Sequence, residues 1–459
     1  MKVLVVGGGV SGLTAAYRLH RAGVDVTVLE AAERPGGRIG SIEVGGFSVE
    51  TGPDSFLARK PWTVELCKEL GVPLVSPGSS GALLWTDHGL VPFLKDTPFG
   101  IPGDVGDVLR WPGLTRAGRR RALRDLLIRK RKDGVEESLG GLLRRRLGDE
   151  ATDRAVAPLL GGLYAGDIDR LSASATFPEL IAWERSQGSL IRGSQAAKRD
   201  ARDGKAAPMF VKPRDGMAAI TDALAQALGE RVRTSTHVDA ISRAGSAYSV
   251  MISGEADLEA DIVIIATPPS AAATHLATLA PTSAEELGQI RSVSTSVVVF
   301  VYGDGTAEAL GEGTGFVVPR GMAPMTAATW LSNKWPDPAL GTRAVVRCFV
   351  GADGEEDIMD APDQDIIDAC ARHLAAVVPL PAEPDAAAVV RWPSSMPQYE
   401  VGHAARVQRI RQGLPAGIFV VGNAYEGVGI PDCVRAATDI AGQVLAGAEV
   451  PKAGQKEQL

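Results

Sequence analysis

Val3-Leu4-Val5-Val6-Gly7-Gly8-Gly9-Val10-Ser11-Gly12-Leu13 stands at the start of the chain, and Val24-Asp25-Val26-Thr27-Val28-Leu29-Glu30 follows shortly after it. The apolar run 3–6 predicts a short buried strand, residues 13–22 a helix and 24–29 a second strand. In such a βαβ unit each glycine has a task. Gly7 permits the tight turn, Gly9 lets a pyrophosphate approach backbone, and Gly12 lets the helix pack on the strand. The helix start, with Gly8, Val10 and Ser11 in it, turns N–H groups toward the phosphates. Glu30 ends the second strand 18 residues past Gly12, where a carboxylate accepts ribose hydroxyls. A glycine turn in an unrelated α/β protein is the competing reading. Strand, helix and acid falling in order favour a dinucleotide.

The other end of the chain carries a second glycine-rich turn: Phe419-Val-Val-Gly422-Asn423-Ala-Tyr-Glu-Gly-Val428-Gly429-Ile430-Pro-Asp-Cys433, then a predicted helix over 436–445. Glycines ahead of a helix again offer N–H groups, to an anion or a flavin carbonyl. A nicotinamide dinucleotide does not need this second site. A flavin dinucleotide, being larger, does.

Composition agrees with a sizeable globular protein. The chain has 459 residues, 45% of them hydrophobic, enough for two or three domains with their own cores. A net charge of −7 gives no general attraction to nucleic acid. Cys67, Cys348, Cys370 and Cys433 are scattered singly, and the six histidines show no metal-binding spacing, so neither a disulfide framework nor a zinc site is expected. No leader is read at the N-terminus and no stretch has the length of a membrane span. A cytoplasmic protein is expected, with peripheral membrane contact left open.

The α/β signals lie at the beginning, middle and end, so we expect one discontinuous Rossmann-like domain built from 1–75, 209–270 and 390–450. Residues 76–208, rich in Arg, Leu and Ala, read as a mainly helical insertion, with helical periodicity over 114–128 and 139–160 and a polar loop over 196–208. Residues 271–389, with strand-like runs at 297–301, 315–318 and 344–350 and a helix over 363–378, read as an α+β substrate-binding domain. Strands are also expected at 45–50, 231–235, 247–252, 261–266, 389–392 and 418–422, and a helix over 218–228. Residues 451–459 read as a tail.

Glu30-Ala31-Ala-Glu-Arg-Pro-Gly36-Gly37-Arg38 resembles the second motif of the amine-oxidase and protoporphyrinogen-oxidase superfamily. Glu50-Thr51-Gly52-Pro53-Asp54-Ser-Phe56 is similar to a segment of bacterial protoporphyrinogen and coproporphyrinogen oxidases. So are Tyr164-Ala-Gly-Asp-Ile-Asp-Arg-Leu-Ser172 and Arg391-Trp392-Pro-Ser-Ser-Met-Pro-Gln-Tyr399. These motifs cover nearly the whole chain in order, and the likeness is to the Gram-positive type, which forms coproporphyrin III. Asp215-Gly216 and Thr51 depart from the pattern without removing a motif. The resemblance implies one non-covalent FAD, with Gly36 and Gly37 letting backbone pass the pyrophosphate and Arg38 near phosphate or flavin. It adds Ala31, Thr51, Gly52, Pro53, Asp54, Val238 and Trp392 to the cofactor contacts.

The same resemblance implies oxidation of a porphyrinogen: six hydrogens leave in three two-electron steps, oxygen reoxidises the flavin, and hydrogen peroxide is released. The flavin does the chemistry, so no catalytic triad or carboxylate pair is expected. Coproporphyrinogen III carries four propionates, for which Arg59 and Lys60 are the candidate ligands. A basic stretch, 116–132, could meet propionates, acidic lipid or a partner, although a solvated helix face is the plainer reading. Tyr164, Tyr399 and Cys433 read as packing residues. A ferrochelatase is the expected recipient of the product. A protoporphyrinogen oxidase, an amine oxidase, a carotenoid desaturase and a non-catalytic flavin-binding haem chaperone remain the alternatives.

Overall fold

A computed structural model describes residues 1–131, 134–203 and 209–449. The strand Lys2–Val6 sits at the centre of a five-stranded sheet, paired in parallel with Asp25–Leu29 on one side and Ile262–Ile265 on the other. Val232–Arg233 and Ile418–Val420 form the two edges. The chain therefore enters this sheet in three widely separated stretches, as expected from the apolar runs. Its strands read as continuous apolar runs because both faces are covered. Val3 and Val5 pack under the helices Val10–Arg21, Ala218–Leu228 and Ile430–Glu449. Leu4 and Val6 pack against an antiparallel three-stranded sheet (Val238–Ala244, Ala247–Ile252, Leu258–Ala260) and against Pro269–Leu276, Pro281–Gly288 and His403–Gly413.

A seven-stranded sheet forms the second body, in the order Ala386–Pro397, Ser292–Val301, Val345–Val350, Met325–Trp330, Gly315–Val317, Leu83–Thr86, Gly89–Pro92. Neighbours are antiparallel except Gly315–Val317 and Leu83–Thr86. Alternation assigns the faces. Val298, Phe300, Val346 and Cys348 pack with the helix Asp363–Ala375, while Val297, Val299, Val301 and Val345 pack with the hairpin Ser41–Val44/Phe47–Glu50 of the nucleotide-binding part.

Three boundaries differ from expectation. The strand expected at 389–392 runs over Ala386–Pro397 and pairs with Ser292–Val301, so the boundary at residue 390 falls inside the seven-stranded sheet. Residues 83–92, placed in the helical insertion, supply two strands of that sheet. Residues 271–290 pack on the five-stranded sheet, not on the larger one. The polar segment from 196 is not a loop: it continues the helix Leu190–Asp203, and 204–208 lie outside the described residues, as do Lys132 and the tail 451–459.

The helical block packs Trp111, Leu142, Leu143 and Tyr164 into one core. Within it Arg146 and Asp125, both with fully buried side chains, meet at 2.6 Å in an ion contact that lacks hydrogen-bond alignment. All four cysteines are free and buried. Among the described residues no helix is long and apolar enough to cross a membrane.

Candidate dinucleotide and substrate site

The first turn is built as its glycines require. Gly7 has φ +106°, and a Cβ on Gly12 would collide with the Gly7 carbonyl oxygen. Gly9 starts the helix Val10–Arg21 with no side-chain cap and no acidic residue in the first turn, and a Cβ there would meet nothing within 4 Å. An uncapped N-terminus reached over bare backbone suits a pyrophosphate. Glu30 closes the loop from behind: its carboxylate accepts from Gly8 N at 2.6 Å and from Ala32 N at 2.9 Å.

The second motif folds back on the first. Gly36 N donates to Gly8 O at 2.9 Å, and Gly36 (φ +119°) and Gly37 (φ +58°) hold conformations that a side chain strains. Arg38 is half-buried and makes no ion pair among the described residues. Burial pulls its guanidinium below the ordinary range, with only the Cys433 thiol nearby to offset it. A half-buried cation without a carboxylate beside an open helix N-terminus fits a dinucleotide phosphate.

Residues 51–54 run between the two bodies, gripped from the seven-stranded sheet. Thr51 N donates to Gly40 O at 2.8 Å. Trp392 Nε1 donates to Thr51 O at 2.8 Å, and Arg347 Nη2 donates to Gly52 O at 2.6 Å. Asp54 is spoken for: both its oxygens accept from Lys334 Nζ at 2.9 Å. Burial pushes that carboxyl up, but Lys334 and Arg347 pull harder and hold it at about 2. Arg391 points the other way, donating to Met359 O at 3.0 Å and Ala361 O at 2.6 Å below the helix Asp363–Ala375.

At the C-terminal turn Gly422 (φ +140°) follows the edge strand, and a Cβ there would also meet nothing within 4 Å. Tyr399 clasps this turn with one oxygen: its hydroxyl donates to Asn423 O at 2.7 Å and accepts from Gly427 N at 2.8 Å. His403 stacks on that ring at 4.0 Å and shares a hydrogen bond of 3.2 Å with Tyr425 O. Burial pushes the Tyr399 phenol well up and brings His403 down to about 4. Val428 and Ile430 pack into the cores on either side, and Asp432 N bonds back to Gly429 O at 3.0 Å.

The phosphate turn, the 36–38 turn, residues 51–54, Trp392 and the 422–430 turn thus converge. The remaining candidates are placed as follows. Lys60 is paired with both oxygens of Asp432 at 2.7 Å, 372 residues away, and so ties the N-terminal half to the C-terminal turn. Arg59 is exposed with no ion pair among the described residues. Val238 is buried in the three-stranded sheet beside Ile252. Much of the 116–132 stretch is occupied: Arg121 donates to the carbonyls of Arg144, Arg145 and Arg146, Arg119 to Trp111 O, and Lys130 to Arg185 O. Arg116, Arg120 and Arg124 remain exposed. Sequence reading missed Arg347, Lys334 and the Tyr399 clasp. Arg347, standing alone among Val345-Val346 and Cys348-Phe349-Val350, was the signal available.

Comparison with known proteins fits this geometry. Residues 10–445 match the family of flavin containing amine oxidoreductases. A Bacillus subtilis (strain 168) protein named coproporphyrinogen III oxidase is 34% identical, covering 94% of this chain and 95% of that one. A Staphylococcus aureus (strain NCTC 8325 / PS 47) protein of the same name is 31% identical over 97% of this chain and 99% of its own. A crystal structure from Exiguobacterium sp. 255-15, provisionally described as a protoporphyrinogen oxidase, superposes with a TM-score of 0.86 at 32% identity, covering 97% and 99% of the two chains.

Proposed function

The chain belongs to the flavin containing amine oxidoreductase family, and from that premise we propose that it oxidises coproporphyrinogen III to coproporphyrin III, with FAD as cofactor and oxygen as acceptor. The observation that carries this reading is the end-to-end likeness to two coproporphyrinogen III oxidases, joined to a site assembled from both ends of the chain. When bound, FAD takes up two electrons at a time, so three turnovers account for the six hydrogens lost, with peroxide as the reduced oxygen product.

The protein's part is placement. The helix at Gly9 and Arg38 would hold the diphosphate, Glu30 the ribose, and the 51–54 and 422–430 segments the ring. Substrate charge is met at the rim, by exposed Arg59 and by Lys60 if it exchanges Asp432 for a propionate. Cytoplasmic location and delivery of the product to a ferrochelatase belong to the same reading.

The test is to give the FAD-loaded protein coproporphyrinogen III and protoporphyrinogen IX in parallel, without detergent, and to follow porphyrin fluorescence at several salt concentrations. The tetrapropionate should react faster, with a rate that falls as salt screens its anionic groups. Equal or reversed preference, with no salt dependence, would transfer the proposal to protoporphyrinogen, the substrate named for the Exiguobacterium relative.

A further inference from the structure

Behind residues 51–54 lies a buried group of charges drawn from both bodies. Lys212 pairs with Glu50 at 3.1 Å, and Lys334 pairs with Asp54 at 2.9 Å. Arg347, with 0% exposure, feels both carboxylates without bonding to either. The group thus holds three cations against two carboxylates. Arg347 lies over the Phe349 ring at 5.1 Å, and its Nε and Nη1 have no hydrogen-bond partner. Only Nη2 is used, on the Gly52 carbonyl.

Two successive peptides of this segment are held by side chains of the sheet. Thr51 and Gly52 turn successive carbonyls to the sheet, toward Trp392 and Arg347. In a trans peptide the N–H lies opposite the carbonyl, so Trp392, by holding the Thr51 carbonyl, turns the Gly52 N–H away from itself, while Arg347 holds the Gly52–Pro53 peptide, which has no N–H. Among the described residues the Gly52 N–H has no hydrogen-bond acceptor. A neutral donor suffices to hold a carbonyl, as Trp392 does for Thr51. A guanidinium adds a field.

We propose that Arg347 is a positioning residue for the flavin: it pins the Gly52–Pro53 peptide within the 51–54 segment and sets the excess positive charge of the buried group behind that segment, favouring the reduced cofactor. Reduction adds electron density to the ring, and charge nearby is one of the levers a protein has on a flavin's electronics. The proposal rests on FAD being the cofactor. Wild-type protein that binds no FAD would defeat that reading and is a different result from those below.

The experiment measures the midpoint potential of FAD-saturated protein in three variants. Arg347→Met should shift the two-electron equilibrium toward oxidised flavin about tenfold, a fall of about 30 mV. Arg347→Lys should recover most of this. Asp54→Asn removes a negative charge from the group and should move the potential upward. Arg347→Met that keeps the wild-type potential at full occupancy overturns the proposal, as does a shift of the same sign in Arg347→Met and Asp54→Asn. A folded Arg347→Met that cannot hold flavin overturns it too, since the residue would then serve binding. If Arg347→Met does not fold, Asp54→Asn decides alone: an upward shift supports the proposal, and an unchanged or lowered potential overturns it.

Discussion

Two glycines of the first turn separate folding from binding. A Cβ on Gly12 collides with Gly7 O, whereas a Cβ on Gly9 meets nothing, and Gly9 has φ −72°, which any residue adopts. Gly9→Val should therefore fold with wild-type circular dichroism yet lose the flavin absorbance near the visible maximum. A yellow Gly9→Val protein at full occupancy would move the phosphate site elsewhere. Tyr399 makes the complementary case. Tyr399→Phe keeps the ring stacked on His403 but leaves Asn423 O and Gly427 N without their shared partner. A lost buried hydrogen bond costs about 1–3 kcal/mol. FAD affinity, measured by fluorescence quenching on titration, should fall accordingly, and an unchanged affinity would mean that the clasp is irrelevant to the turn.

At the level of elements, the helix His403–Gly413 makes the fold sensitive to acid. His403 falls from an ordinary 6.5 to about 4 because burial disfavours the imidazolium. The unfolded chain therefore binds the proton more readily than the folded one. The stabilisation is complete above pH 6.5 and is lost as pH drops toward 4, by up to roughly 3 kcal/mol. Urea unfolding at pH 7.5 and pH 5 should show a loss that is smaller in His403→Gln; equal slopes in the two proteins would locate the titration elsewhere. Which elements the sequence disclosed follows from the same physics. The runs 3–6, 262–265 and 418–420 were legible because strands buried on both faces need unbroken apolar residues. The short run 389–392 read as a strand but could not name its sheet, since Arg391 and Trp392 suit either partner until Thr51 is known to bond to one of them. The polar residues after 196 hid a helix because that face is solvated, while Ser194 anchors the other through Ile101 O at 2.6 Å. In the site, glycines announced themselves by spacing. Lys60 and Asp432 did not, because nothing in either neighbourhood encodes a partner 372 residues away.

For the whole molecule, the proposed site would have one ligand bridge segments that the chain keeps far apart, so occupancy should govern stability. FAD freed by acid precipitation should leave the pellet colourless. Apoprotein should melt below holoprotein, and its midpoint should climb with added FAD, gaining about 2.7 kcal/mol at a hundredfold excess over Kd. A midpoint indifferent to FAD would contradict a site shared between the chain's ends. The order of strands also has a bearing on biosynthesis. Ile262–Ile265 offers one open edge until Ile418–Val420 pairs with it, and the apolar face over Val3 and Val5 stays partly bare until Ile430–Glu449 arrives. On the ribosome, most of the polypeptide must emerge before that sheet can close. Through that interval the nascent chain carries an unpaired strand edge and an uncovered greasy surface, both prone to misassembly. The topology thus places closure of the sheet, and with it assembly of the proposed cofactor site, late in synthesis.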